Sequence, residues 1–184
     1  MVMSVAPLEP EDAPAPVRAL YAAIEARMGQ VPNLFRVLGH QPAYAEPFAG
    51  LIGAVLAGGV LPAGLKEMLI LVVSLGNGSE YCTFQHARMA GMAGVPGEKI
   101  AALRAGAEAG SPLFDARERA LIALARALHA DAHHVPAPVW EAARAACSEA
   151  EIVDAAFVVC LFEGITRFAD GMGMEIEEMF AAGA

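Results

Sequence analysis

The sequence predicts an all-α fold, on three observations. Hydrophobic residues make up 57% of the 184 and charged residues 18%, and much of the apolar share is alanine, the strongest helix former. Eighteen glycines and twelve prolines cut the chain into helix-length pieces. No stretch keeps the alternation of a half-buried strand. The length suits a single domain over 1–184, or two small related halves around a shared core.

The elements follow in order from their stop and start signals. Residues 14–28 open at prolines and end at Gly29, as a helix should. A short helical piece is expected from Asn33 to His40, and a longer one from Pro42 to about Ala57, with the prolines and Glu46 around Tyr44 marking a loop or a bent helix. Pro62 opens a helix that Gly76-Asn77-Gly78 stops near Leu75. Ser79 is placed to cap the next, which ends near Gly94. A short helix at 97–107 follows. Asp115-Ala-Arg-Glu118 has the form of a capping box ahead of an amphipathic run to Ala130. Pro136 and Pro138 open a helix to about Ala146. Ser148-Glu-Ala-Glu151 forms a second capping box before a buried helix through Ile165 to Ala169. Gly171 and Gly173 interrupt it ahead of a helical turn at 174–181.

Composition also excludes functions. Net charge is −9 and no Lys/Arg cluster occurs, so no nucleic-acid partner is expected. The apolar runs Met68–Val73 and Ala155–Phe162 fall far short of a bilayer span, and no membrane role is expected. Three cysteines, Cys82, Cys147 and Cys160, at long spacings argue for a reducing compartment over a disulfide framework. The acidic start of the chain lacks a basic signal region. A soluble cytoplasmic protein is the expectation, and the apolar excess points to a homo-oligomer.

The most informative segment is 67–86. Cys82 and His86 stand i,i+4 apart, so on a helix their Cβ atoms lie roughly 5–6 Å apart on one face. Capped by Ser79, that helix places Cys82 in its first turn, where unpaired N–H groups and the positive dipole end favour a thiolate. A neighbouring imidazole can take the thiol proton. Glu67 lies about 13 Å before Gly76 along its own helix, and His86 about 10 Å after Ser79. An antiparallel hairpin at the Gly-Asn-Gly turn therefore brings the carboxylate level with the imidazole. Each residue alone also fits a plain role: Cys82 a small core residue, His86 a packed or surface histidine, Glu67 beside Lys66 a solvated helix charge. Their joint arrangement carries the functional reading.

These residues resemble the alkylhydroperoxidase D / carboxymuconolactone decarboxylase superfamily. Its redox branch has a glutamate on one helix and Cys-x-x-Cys-x-x-x-His at the start of the next. Glu67, Ser79-Glu-Tyr-Cys82 and Thr-Phe-Gln-His86 match that layout. Val31–Pro42 and Thr166–Gly173 are similar to the family's early and late segments. The resemblance implies antiparallel helices in a symmetric homo-oligomer. It also implies that Cys82 attacks peroxide, His86 is its base or ion-pair partner, and Glu67 relays the proton. Ser79 departs from the pattern, since it stands where the first motif cysteine would be. Tyr81 stands where the alkylhydroperoxidase has a second histidine. Reduction of an oxidised Cys82 must then come from an external thiol or thiol protein.

The expected function is thus a peroxidase-like oxidoreductase acting on a small hydroperoxide, with no cofactor and no metal. Two alternatives stand beside it. One is a non-redox decarboxylase-type enzyme using Glu67 and His86 on a small acidic or lactone substrate. The other is a helical oligomeric binding protein with an idle site. His129, Asp131 and His133 allow a metal reading, but their spacing fits no tight motif, and histidines suit a helix end. Cys147 and Cys160 are expected in the core, with Trp140 as a packing anchor and the methionines as filler.

Overall fold

The computed structural model describes residues 3–177, and these contain helices and irregular segments but no strand. The helices are α1 (Ala15–Met28), α2 (Asn33–Leu38), α3 (Pro42–Ala57), α4 (Ala63–Asn77), α5 (Glu80–Met92), α6 (Gly97–Arg104), α7 (Ala116–Asp131), α8 (Ala137–Ala146) and α9 (Glu149–Gly171). None is long and apolar enough to cross a membrane. The turn of helix expected at 174–181 is not seen over 174–177, which are irregular, and the rest of that stretch lies outside the described residues. Gly171 and Gly173 end α9 there: Gly173 is left-handed and the Met174 N–H returns to the Ala169 carbonyl. Pro47 lies inside α3 without ending it. The Tyr44 region is therefore helix, at the loss of one backbone bond.

Contacts divide the chain into two compact units, one of residues up to Gly58 with those from Ala169 onward, the other Gly59–Phe168. In the first, α3 packs on α1 and α2. Its core gathers Ala13, Val17, Tyr21, Ile24 and Phe35, with Phe48 and Ile52 packed against them. Burial pushes the Tyr21 phenol above its ordinary value, and the hydroxyl donates weakly at 3.3 Å to the carbonyls of Phe35 and Arg36. Asn33 ties in the segment after α9: its backbone N–H donates to Glu177 Oε1 at 2.8 Å.

The second unit is organised around α4, whose residues Leu65–Ser74 are all buried. Such a run has no solvent face, and α5, α6 and α7 pack on it. A helix apolar all round belongs in an interior. The two capping boxes form as the sequence requires. Glu118 N–H donates to Asp115 Oδ1 at 2.8 Å, and Asp115 N–H to Glu118 Oε2 at 2.9 Å. At α9, Glu151 N–H donates to Ser148 Oγ, and Ser148 N–H to Glu151 Oε2.

Candidate active site

The turn between α4 and α5 sets the site. Gly78 ends α4 in the left-handed region, φ 70°, which only glycine adopts without strain, and its N–H returns to the Leu75 and Ser74 carbonyls. The next residue reverses the chain. Ser79 N–H donates to the Ser74 carbonyl at 3.0 Å, and the Ser79 hydroxyl accepts from Cys82 N–H at 3.4 Å. Ser79 is the N-cap of α5, so the serine in place of a cysteine has a structural task.

The hairpin brings Glu67 and His86 together. Glu67 Oε2 lies 2.7 Å from His86 Nδ1, with the two residues 4% and 8% exposed. An ionised carboxylate can only accept, so Nδ1 carries the proton that faces it. In the neutral ring the lone pair is then on Nε2, which is the basic atom the imidazole can offer. Cys82 sits one helical turn earlier on α5 and is 2% exposed. Glu67 is therefore no solvated helix charge: a carboxylate buried this deeply needs a partner, and His86 supplies it. Tyr81 and Gln85 are buried on the same helix.

Three contributors were not legible in the local pattern. Phe162, on α9, presents its ring edge-on to His86, with centroids 5.0 Å apart and an interplanar angle of 87°. Lys66, beside Glu67, is fully buried and pairs with Asp154 of α9 at 3.4 Å. Asp154 also accepts from the backbone N–H groups of Val60 and Leu61, at 2.8 and 2.9 Å, and so brackets the segment that leads into α4. Only chain-distant contact reveals these roles; an aspartate among apolar residues on a buried helix was the one available signal.

The other singled-out residues go elsewhere. His129 Nδ1 pairs with Glu163 Oε1 at 2.6 Å, and Asn77 Nδ2 donates to Glu163 Oε2 at 3.0 Å. Asp131 instead pairs with His134. Cys147 and Cys160 are not core residues. Cys160 is exposed and Cys147 half-buried, because the inner face of α9 is filled by Val158, Val159 and Phe162 and Cys147 is the extended C-cap that follows α8. The Cys147 thiol is pushed up from its ordinary value by burial and then by the Glu151 carboxylate. Trp140 is partly exposed, with the Arg144 guanidinium over its ring at 5.8 Å. Met68 and Met174 are buried, but Met28 and Met92 are exposed.

Comparison with known proteins finds chains of similar fold. Residues 42–111 match the carboxymuconolactone decarboxylase family. A cysteine-to-alanine variant of the debrominase Bmp8, in complex with 2,3,4-tribromopyrrole, is similar at 25% identity and a TM-score of 0.85, over 99% of this chain and 96% of that one. An alkylhydroperoxidase AhpD core, an uncharacterised peroxidase-related protein from Ralstonia eutropha JMP134, aligns at 22% identity and a TM-score of 0.86, over 98% and 95%. A further uncharacterised peroxidase-related protein, from Silicibacter sp. TM1040, aligns at 20% and 0.81, over 96% and 90%. No curated protein matches. The fold is that of the alkylhydroperoxidase D-like helical proteins, among which enzymes are found. The match to the carboxymuconolactone decarboxylase family covers residues 42–111, and the similarity beyond them is one of fold.

Proposed function

We propose that the protein is a thiol-dependent peroxidase working through Cys82. The observation that carries this is the buried Glu67–His86 pair, 2.7 Å between Oε2 and Nδ1, one turn along α5 from a sulfur in that helix's first turn. His86 Nε2 takes the Cys82 proton, and the Glu67 carboxylate stabilises the imidazolium that forms. The thiolate attacks the terminal oxygen of a hydroperoxide. The S–O bond forms as the O–O bond breaks, and the departing alkoxide takes a proton from His86, leaving an alcohol and Cys82 sulfenic acid. With Ser79 where a resolving cysteine would sit, one external thiol displaces water from the sulfenic acid to give a mixed disulfide. A second external thiol then releases Cys82 and a disulfide product.

Similarity to a debrominase over nearly the whole chain favours a second reading: Cys82 accepts bromine from a halogenated heteroaromatic ring. The S–Br bond forms as the C–Br bond breaks, the ring carbon takes the proton, and two external thiols return the sulfur to its reduced state with release of bromide. The two readings share every protein group and differ in the electrophilic atom. One experiment separates them and the non-redox decarboxylase alternative. Purified protein with a thiol reductant is assayed on an alkyl hydroperoxide, on a brominated pyrrole and on a carboxylated lactone, alongside Cys82→Ser. Peroxide consumption lost in Cys82→Ser is the expected result. Activity that survives in Cys82→Ser but disappears in Glu67→Gln would overturn the thiol mechanism.

A further inference from the structure

The Gly76-Asn77-Gly78 segment, from which Cys82 takes its position, has one side chain of its own to be held by. Gly76 and Gly78 offer none and leave the backbone loosely restricted, so Asn77 is the single handle. Its amide reaches α9, where Nδ2 donates to Glu163 Oε2 at 3.0 Å. The other oxygen of Glu163, Oε1, lies 2.6 Å from Nδ1 of His129 in the last turn of α7. Each carboxylate oxygen thus has a donor, and Nδ1 carries the proton that faces it. The imidazole also rests on the helix whose end is being held: a Cβ at Gly76 would stand 2.6 Å from its Nε2.

This pair is placed unlike Glu67 and His86. Those two belong to the hairpin itself, whereas Glu163 and His129 close on its turn from α9 and α7. Consecutive residues of α9 therefore grip the hairpin at two places, Glu163 at Asn77 and Phe162 edge-on to His86. What Asn77 fixes is passed on over a few bonds. Ser79, two residues on, returns its N–H to the Ser74 carbonyl, and its hydroxyl caps the Cys82 N–H. Releasing Asn77 frees Ser79, and the first turn of α5 then frays around the sulfur. We propose that Glu163, oriented by His129, is a positioning residue for Cys82, latching the turn and setting how often the buried thiol is uncovered. That role rests on the reading of Cys82 as the reacting sulfur. The charge-assisted hydrogen bond exists in the closed turn and is absent in the opened one, so its loss makes opening about tenfold more frequent. A residue that only stabilised the whole fold would leave this local opening unmoved.

Two readouts on the full-length protein test the latch: hydrogen exchange by mass spectrometry over residues 79–83, and the limiting rate of Cys82 alkylation at high iodoacetamide. Exposed Cys160 serves as the internal standard. Asn77→Asp sets a carboxylate against Glu163 and should speed both about tenfold, while Cys160 labels at its wild-type rate. Glu163→Ala should do the same. Adding Glu163→Gln to Asn77→Asp restores the match, with the amide N–H donating to residue 77 and the amide oxygen accepting from His129, and should return both readouts close to wild type. Neither readout uses peroxide, so a failure here is separate from a failure of the peroxidase reading. Exchange and alkylation unchanged in both Asn77→Asp and Glu163→Ala, even with a lowered melting temperature, would overturn the latch. So would a double variant that opens as often as Asn77→Asp.

Discussion

Replacing Glu67 tests the site and the fold in one residue. Its carboxylate is 2.7 Å from His86 Nδ1, the length of a charge-assisted hydrogen bond, and both residues are buried. Glu67→Ala leaves the imidazole buried without its acceptor. Breaking a buried pair by deleting one partner typically costs about 3–5 kcal/mol, and loss on this scale is expected in urea unfolding followed by circular dichroism. Glu67→Gln keeps shape and an accepting oxygen but removes the charge. The gap between a charged and a neutral hydrogen bond is about 1–1.5 kcal/mol, which is roughly a five- to twelvefold factor in a rate that depends on that bond. The variant should fold well, yet its Cys82 should alkylate more slowly with iodoacetamide and turn over peroxide more slowly by a similar or larger factor. If Glu67→Ala unfolds within about 0.5 kcal/mol of wild type, as an ordinary surface substitution would, the buried pair is not what holds these helices, and the reasoning fails.

Four further outcomes are expected. Asp154→Ala, which strips the partner from buried Lys66 and the acceptor from two N–H groups, should destabilise the protein by about 3–5 kcal/mol in urea. Gly76→Ala would place a methyl 2.6 Å from His129 Nε2, on a ring already anchored to Glu163; a loss of about 1–3 kcal/mol is expected, and in the double variant with His129→Ala the two effects should not add. Burial raises the Tyr21 phenol, so below the ordinary tyrosine value its contribution is fully present, and it is lost as pH rises through the higher folded value. Unfolding free energy should fall on the alkaline side, and Tyr21→Phe should flatten that fall. Burial and Glu151 raise Cys147, so its alkylation in the native protein, mapped by peptide mass, should begin at a pH above the ordinary thiol range, and Glu151→Gln should lower that onset.

What the chain discloses before folding depends on how local its causes are. Ser79 capping α5, and the boxes at Asp115 and Ser148, involve residues three apart, so the pattern specifies them outright. The pairing of Glu67 with His86 was legible because counting helical rises from a single sharp turn leaves one register. Phe162 against His86, and Asp154 against Lys66, join α9 to the α4–α5 hairpin, and nothing near either residue encodes that approach. Lys66 shows the limit well: a lysine at the start of a helix ordinarily faces water, and only the distant aspartate makes its burial tolerable. Cys160 failed for a related reason, since an apolar run reads as interior whichever of its faces turns inward.

The sulfur proposed to react sits behind a closed door. At 2% exposure, Cys82 is met by a solute only during a transient opening of the helices around it. Reagents of quite different intrinsic reactivity should therefore converge, once concentrated enough, on one shared ceiling rate set by the protein's own breathing. On the proposed chemistry the same ceiling would hold for a bulky thiol approaching the oxidised sulfur.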